Sequence, residues 1–560
     1  MRKTVMLVAA IAACAWCLQA RQPERARHGM VASVEKHATD AGVAVLESGG
    51  NAVDAAVTVG LALAVTHPAA GNLGGGGFML IRTSDGHTNF IDFRERAPQK
   101  ASHNMYVGAD GKPTDDSVVG YLASGVPGTV RGLELAQKKY GKKKWAELVE
   151  PAVQLARNGF PVSYGLSQGL RSKHTSEFLS RFPESKRIFL RDGKYFEPGE
   201  LLIQPELAQT LERIRNEGSK DFYEGETARL LVADMEAHGG LITLDDLKNY
   251  KAFERQPITG TYKGYTIIGA PPPSSGGVGV LQMLGMLEGS GYEKHGVGSA
   301  AAVHYMAETM RRYFADRSEY MGDPEFYPVP VSKLLDPKYI QERGRSIDPQ
   351  RATSSSSVHP GKMTASGESD ETTHYSIVDS EGNAVAVTYT LNGGYGSGVT
   401  VAKLGMVLNN EMDDFAAKPG EANMYGLIQG EANSVQPRKA PLSSMTPTIV
   451  LRDGKLYLVV GSPGGPTIIN TVLEVIVNVL DFGMNIAEAV DQPRFHHQWF
   501  PDQLIVEKSF SPDTILELLR TEGHAVKVIS GQGQVAAILV DGEWITGTAD
   551  PRTEGTAKGY

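Results

Sequence analysis

The chain has 560 residues, 41% hydrophobic and 21% charged, an ordinary globular composition large enough for one big core or for two or three domains. Its net charge of −9 runs against the basic surface of a nucleic-acid binder, and basic runs such as Lys138 to Lys144 read as a solvated helix face and turn. Both cysteines, Cys14 and Cys17, fall in the N-terminal leader, so the chain beyond it has no disulfide, no thiolate nucleophile and no Cys-ligated metal.

The leader opens with Met1-Arg2-Lys3, continues through the apolar run Val5 to Trp16 and closes at Leu18-Gln19-Ala20, with a small residue before the cut. It reads as a secretory signal peptide over 1–20, too short to span a membrane as a helix unless left uncleaved. Ile11-Ala12-Ala13-Cys14 loosely resembles a lipoprotein processing site, with Cys14 as anchor, but the apolar stretch before it is short. No later run approaches the roughly 20 apolar residues that a spanning helix needs.

Residues 21–27 are polar and read as loose. Asn51 stands at an N-cap position, with Asp54 three residues on, and Val57 to Val65 is apolar on nearly every face, which predicts a buried helix. Gly74 to Gly77 precede the strand Phe78 to Ile81. No Gly-Lys-Ser/Thr follows them and no helix opens, so they signal tight backbone packing rather than phosphate binding. A hairpin turns at Asp85-Gly86 and ends in Ile91-Asp92-Phe93-Arg94-Glu95-Arg96. From Gly128 to about Gly240 the periodicity is helical. Residues 249–268 return to strand, Pro271 to Gly277 form a stiff turn into a helix, and Ala300 to Phe314 are helical. Thr353 to Asp370, with four consecutive serines, has no apolar period and reads as a flexible, cleavable linker.

A core-type strand then begins abruptly. The run from Glu371-Thr372-Thr373-His374 to Thr388-Tyr389-Thr390-Leu391-Asn392 places two β-branched and aromatic stretches around the turn formers Asp379 to Asn383. A threonine freed at the start of such a strand has a nucleophilic hydroxyl, and its own α-amine, with a reference pKa of roughly 7.7–8.0, can serve as base. Further on, Glu411-Met412-Asp413-Asp414 is an acidic trio that reads as a turn or a weak cation site, and 418–438 is a long unperiodic loop of the kind that forms lids. Ser443-Ser444 offers two adjacent hydroxyls. Thr448 to Val460 is a hairpin turning at Asp453-Gly454, and Gly464-Gly465 lead into the apolar helix Thr467 to Leu480, where backbone N–H groups make an oxyanion cradle. A short helix carrying Ile515, Leu516, Leu518 and Leu519 and a strand at Val535 to Leu539 complete the chain.

Thr-Thr-His-x-Ser, then Gly-Asn-x-Val-Ala-x-Thr-x-Thr-Leu-Asn and Tyr395-Gly396, resemble the signature of the γ-glutamyltransferases, which are N-terminal-nucleophile hydrolases. Gly-Gly-Asn-Ala-Val-Asp-Ala-Ala and the four glycines before Phe78 resemble the family's large-subunit opening, so the likeness runs over nearly the whole chain beyond the leader. The resemblance implies an α+β fold, a four-layer αββα sandwich. It implies self-cleavage between Glu371 and Thr372 into fragments 21–371 and 372–560, which stay together as a heterodimer. Carried over residue by residue, it makes Thr372 the nucleophile, supported by Thr390, and Asn392 a substrate-binding residue. Gly464 and Gly465 become the oxyanion hole, and Arg94, Ser443 and Ser444 the clamp for a substrate α-carboxylate. Asp414 and Glu411 hold the α-amine, and Tyr425 is the lid residue that closes over Asn392. Arg96 reads as a structural neighbour of Arg94. His374, about 6.6 Å along the strand from Thr372, is out of reach as a base.

The activity so implied is cleavage of γ-glutamyl amides such as glutathione, with transfer to water or to amino acid and peptide acceptors. It uses no metal or other cofactor, and the location is periplasmic. The alternatives are a cephalosporin acylase, a poly-γ-glutamate depolymerase, or an unprocessed secreted protein without activity. The retained α-amine and α-carboxylate clamps, and a lid that obstructs a polymer, argue against the first two.

Overall fold

The computed structural model describes residues 21–361, 372–421, 423–424, 430–510 and 512–560. The leader with Cys14 and Cys17, Glu371 and Tyr425 lie outside the described residues.

Two seven-stranded sheets lie face to face. One runs Thr556–Gly559, Met30–Ser33, Thr373–Val378, Ala384–Thr390, Gly76–Arg82, Thr88–Phe93, Phe253–Arg255. The other runs Glu24–Ala26, Trp544–Ala549, Ala536–Asp541, Lys455–Gly461, Thr448–Arg452, Tyr265–Gly269, Ile258–Tyr262. Side chains alternate across a strand, and this sorts the core into two layers. Met79, Ile81, Tyr375, Ile377, Val385 and Val387 face helices that include Lys36–Glu47 and Ala52–Thr66. Phe78, Leu80, Val378, Ala384 and Ala386 face the second sheet, whose outer side is covered by Gly276–Leu287, Ala300–Tyr320 and Thr467–Leu480. The result is helices, sheet, sheet, helices: the expected αββα sandwich.

Local chemistry explains the elements around the site. Ala52–Thr66 is buried at every position and opens with a capping box between Asn51 and Asp54, as the pattern predicts. Asp453 and Gly454 both have positive φ in the two-residue hairpin turn that their identity favours. The four glycines are crowded by backbone: a Cβ on Gly74 would stand 2.2 Å from the Val407 carbonyl oxygen, and one on Gly75 2.0 Å from that of Thr390. They allow the strand Gly76–Arg82 to run tightly beside Ala384–Thr390.

Three expectations are corrected. Residues 24–26 are not loose but form an edge strand on Trp544–Ala549, because pairing satisfies backbone groups whatever the side-chain polarity. The helix from Ala300 continues to Tyr320 rather than stopping at Phe314; its last turns are charged yet buried, so an apolar period could not reveal them. The first part of the serine-rich segment is held rather than flexible. Thr353 donates to Glu308, Ser355 is fully buried, and its backbone N–H donates to Asp502 at 2.8 Å.

Each sheet contains strands from both sides of position 371. A chain cut there has two fragments that share one core. Among the described residues no helix is long and apolar enough to cross a membrane.

Candidate active site

Thr373 pairs with Tyr389 across the central hairpin, so one step further the register sets Thr372 opposite Thr390. The Thr372 hydroxyl donates to the Thr390 hydroxyl at 3.4 Å. Thr390 Oγ1 also accepts the Asn392 backbone N–H at 2.8 Å, and the Thr390 carbonyl accepts from Asn72 at 2.8 Å. Asn392 takes a positive φ of 73° and ties its side-chain amide to the Asn410 carbonyl at 2.9 Å. Thr372, Asn410 and Gly464 border a cavity of about 870 Å³ between the two halves of the chain.

Gly464 and Gly465, with φ of 131° and 53°, form the turn before Thr467–Leu480. Their carbonyls accept the Thr467 and Ile468 N–H groups at 3.1 and 3.0 Å, which starts the helix. The loop therefore stands at the positive end of a 14-residue helix. A Cβ on Gly464 would meet Thr467 Oγ1 at 2.4 Å.

The predicted clamp residues converge. Arg94 is buried, and its guanidinium binds both Glu411 and Asp414 and donates to the carbonyls of Pro441 at 3.2 Å and Leu442 at 2.9 Å. Those carbonyls immediately precede Ser443-Ser444. Ser443 is fixed by backbone bonds to Pro273 and Ser275, and Arg317 donates to Ser444 Oγ at 3.3 Å. Glu95 stands 3.6 Å from Arg94. Three carboxyls thus face one guanidinium. Burial raises Glu411 well above the usual carboxylate range, against the pull of Arg94, and raises Glu95 to about 7. The cluster is short of positive charge, and an incoming ammonium would supply it.

Arg96 turns away to Asp323 at 3.1 Å and Glu325 at 3.3 Å, as a structural residue does. His374 lies between the sheets, its ring against Thr388 Oγ1 at 2.9 Å and Ser376 Oγ at 3.0 Å, and burial lowers its pKa to about 3. It takes no proton at neutral pH. The acidic trio splits by role, because Asp413 accepts from Ser117 at 2.8 Å, apart from the Arg94 cluster, and burial raises it to about 7.

Sequence reasoning assigned no role to Asn72, Asn409, Asn410 or Glu95. Asn409 ties the Gly74 and Gly125 carbonyls together and accepts the Glu411 N–H at 3.0 Å, which anchors the acidic turn. Asn410 Oδ1 accepts from Gly393 at 2.8 Å. Adjacent asparagines between strands usually signal only a turn, and that was the one signal available.

The Gamma-glutamyltranspeptidase family model matches residues 38–560. The chain is 52% identical over 534 residues to the glutathione hydrolase proenzyme of Escherichia coli (strain K12), covering 95% of this chain and 91% of that protein. It is 37% identical to an acylase ACY 1 proenzyme of Pseudomonas sp. (strain SE83), covering 96% and 94%. Among solved structures, the cephalosporin acylase of Bacillus halodurans superposes with a TM-score of 0.86 at 26% identity, over 96% of this chain and 97% of that one. A chain of Helicobacter pylori γ-glutamyltranspeptidase is 44% identical, covering 58% of this chain and 94% of that chain, with a TM-score of 0.57.

Proposed function

Since the chain belongs to the γ-glutamyltranspeptidase family, we propose that it is a self-processing γ-glutamyltransferase that cleaves glutathione and related γ-glutamyl amides. The observation that carries this reading is the meeting of Arg94, Glu411 and Asp414 in one buried cluster beside the Ser443-Ser444 loop. An α-amino acid head group brings one carboxylate and one ammonium. The carboxylate takes the fork of Arg94 and the Ser443 and Ser444 hydroxyls, while the ammonium takes Asp414 and Glu411. The charges separate in the same sense as those they replace.

Maturation comes first. The Thr372 hydroxyl attacks the Glu371 carbonyl carbon, the acyl group shifts from nitrogen to Oγ1 and so frees the Thr372 amine, and water then hydrolyses the ester to release the Glu371 carboxylate and the Thr372 hydroxyl. In the mature enzyme that amine accepts the hydroxyl proton as Oγ1 attacks the donor's γ-carbonyl carbon. Thr390 Oγ1 orients the nucleophile, and Gly464 and Gly465 N–H groups hold the oxyanion. The amine returns its proton to the leaving nitrogen, and a γ-glutamyl-threonine ester remains. Water completes hydrolysis, and an amino acid or peptide amine completes transfer. Residues 1–20 direct the precursor to the periplasm, and fragments 21–371 and 372–560 work as a heterodimer, with Tyr425 closing over Asn392.

The acylase relatives share the fold, so fold alone does not select the substrate. Identity to the Escherichia coli glutathione hydrolase proenzyme, at 52% against 37% to the acylase proenzyme, and the amino-acid clamp both favour the γ-glutamyl donor. The test is turnover of a γ-glutamyl anilide and of glutaryl-7-aminocephalosporanic acid, which lacks the α-amine. Preference for the γ-glutamyl donor, abolished by Asp414→Asn, is the expected result. Equal use of both substrates would make the protein an acylase.

A further inference from the structure

Between the helices Ala300–Tyr320 and Asp513–Thr521, two histidines and a glutamate meet that take no part in the chemistry above. His304 lies in the first turns of Ala300–Tyr320 and is fully buried. Glu522 and His524 follow the helix Asp513–Thr521. Gly523, at φ 100°, ends that helix with a paired closure: its own N–H donates to the Arg520 carbonyl at 3.0 Å and that of His524 to Leu519 at 3.0 Å. This reversal brings the Glu522 and His524 side chains to the same point. His304 Nδ1 is 2.9 Å from His524 Nε2 and 3.8 Å from Glu522 Oε2. All three donor atoms lie within 4.8 Å of one another.

We propose that His304, Glu522 and His524 form a site for a divalent, nitrogen-preferring cation, Zn2+ above all. Three features support it. His304 Nε2 is 2.8 Å from the Asp348 carbonyl, which can only accept, so Nε2 carries the ring proton and Nδ1 presents its lone pair. A backbone carbonyl behind a ligand histidine is the usual way such a ring is oriented. His524 is buried, so its ring is held against His304 away from bulk solvent. Finally, the Glu522 Oε2 atom is buried without a hydrogen-bond partner among the described residues.

Two imidazoles and one carboxylate, with water in the fourth place, are a zinc donor set rather than one for calcium or magnesium, which prefer oxygen. With metal–nitrogen bonds of about 2.0–2.1 Å, tetrahedral binding needs the two nitrogens roughly 3.3 Å apart. The rings must therefore part by a few tenths of an ångström, and the glycine hinge beside a part-exposed Glu522 permits it. His524 binds through Nε2 as its Nδ1–H tautomer, so no net proton is released. The site is complete in the uncut chain and does not depend on cleavage. In a cut chain its ligands come from both fragments, so the ion ties them together.

Chelator-stripped wild type, His524→Gln and Glu522→Gln are each titrated with Zn2+ by calorimetry and with Co2+ by visible absorption. The expected wild-type result is one Zn2+ per chain with micromolar affinity and a tetrahedral Co2+ band that Zn2+ bleaches. Bound Zn2+ also raises Tm by mass action. Binding and the Tm rise should vanish in His524→Gln and weaken about tenfold in Glu522→Gln. A wild type that takes up no metal, or variants that bind as the wild type does, would leave the contact as a plain His–His hydrogen bond and overturn the proposal.

Discussion

The clamp rests on the difference between a fork and a point charge. Arg94→Lys keeps the charge but loses the bidentate geometry toward a carboxylate, at a cost of about 1.5–3 kcal/mol, or roughly a ten- to hundredfold rise in donor KM. Maturation should proceed as before, since the role proposed for Arg94 is in donor binding. Steady-state kinetics decide it, with Arg96→Lys as control because that residue is engaged with Asp323 and Glu325. If Arg96→Lys raised KM and Arg94→Lys did not, the carboxylate site would belong to the neighbour. His374 gives a second test at this scale. Its ring is buried and neutral, so His374→Gln should keep the rise of kcat/KM through an apparent pKa at or somewhat below about 7.7–8.0, that of an α-amine. Loss of that limb would make the imidazole the base. The resemblance to the family, carried over residue by residue, brought Arg94, Glu411, Asp414 and the serine pair forward, since by identity alone an arginine at a strand end, an acidic trio and a serine pair read as surface and turn residues. It was silent on Asn72 and Asn409, whose work is to fix backbone carbonyls, a role that leaves no pattern in a sequence.

Among the elements, the glycines under the nucleophile set the tolerance of the site. Gly75→Ala would drive a methyl to 2.0 Å from the Thr390 carbonyl oxygen, and Thr390 is the residue that Thr372 Oγ1 contacts. The strand must move, so kcat should fall at least tenfold with a smaller change in KM. Stability should fall by about 1–3 kcal/mol, as for overpacked cores. A variant with wild-type kcat would separate Thr390 from the nucleophile's positioning. The Gly74 to Gly77 run was legible as tight packing because nothing in the sequence fitted a phosphate loop. The tail of Ala300–Tyr320 and the edge strand Glu24–Ala26 were not legible. Buried charges paired in a helix, and a polar strand held by its backbone, both lack the apolar period on which such reading depends.

For the whole molecule, burial of neutral titratable groups bounds the range of stability. The pKa of His374 is lowered to about 3 and that of His496 to about 4. Each contribution is present in full above the unfolded value of about 6.5 and is lost as pH falls from there toward the folded value. Glu474 is raised from 4.5 to about 8 by burial, so its contribution is present below 4.5 and is lost as pH rises through 8. Tm against pH should therefore lose the histidine contributions below about 6.5 and the Glu474 contribution between about 4.5 and 8, and Glu474→Gln should remove the latter loss, most visibly between pH 6.5 and 8. An unchanged slope over that range in the variant would mean that Glu474 is ionised in the folded protein. At this scale the sandwich was implied by the resemblance and not by periodicity, because strands from both fragments interleave and no local pattern encodes that pairing. The interleaving also bears on the central claim, that one threonine hydroxyl first cuts the chain and then turns over substrate. The most direct test is intact mass with N-terminal sequencing of purified wild type and Thr372→Ala, followed by γ-glutamyl anilide turnover. Two fragments in the wild type, the smaller beginning at Thr372, and a single inactive chain in the variant are the expected result. A Thr372→Ala protein that is still cut at 371/372, or that still turns over the anilide, would contradict it.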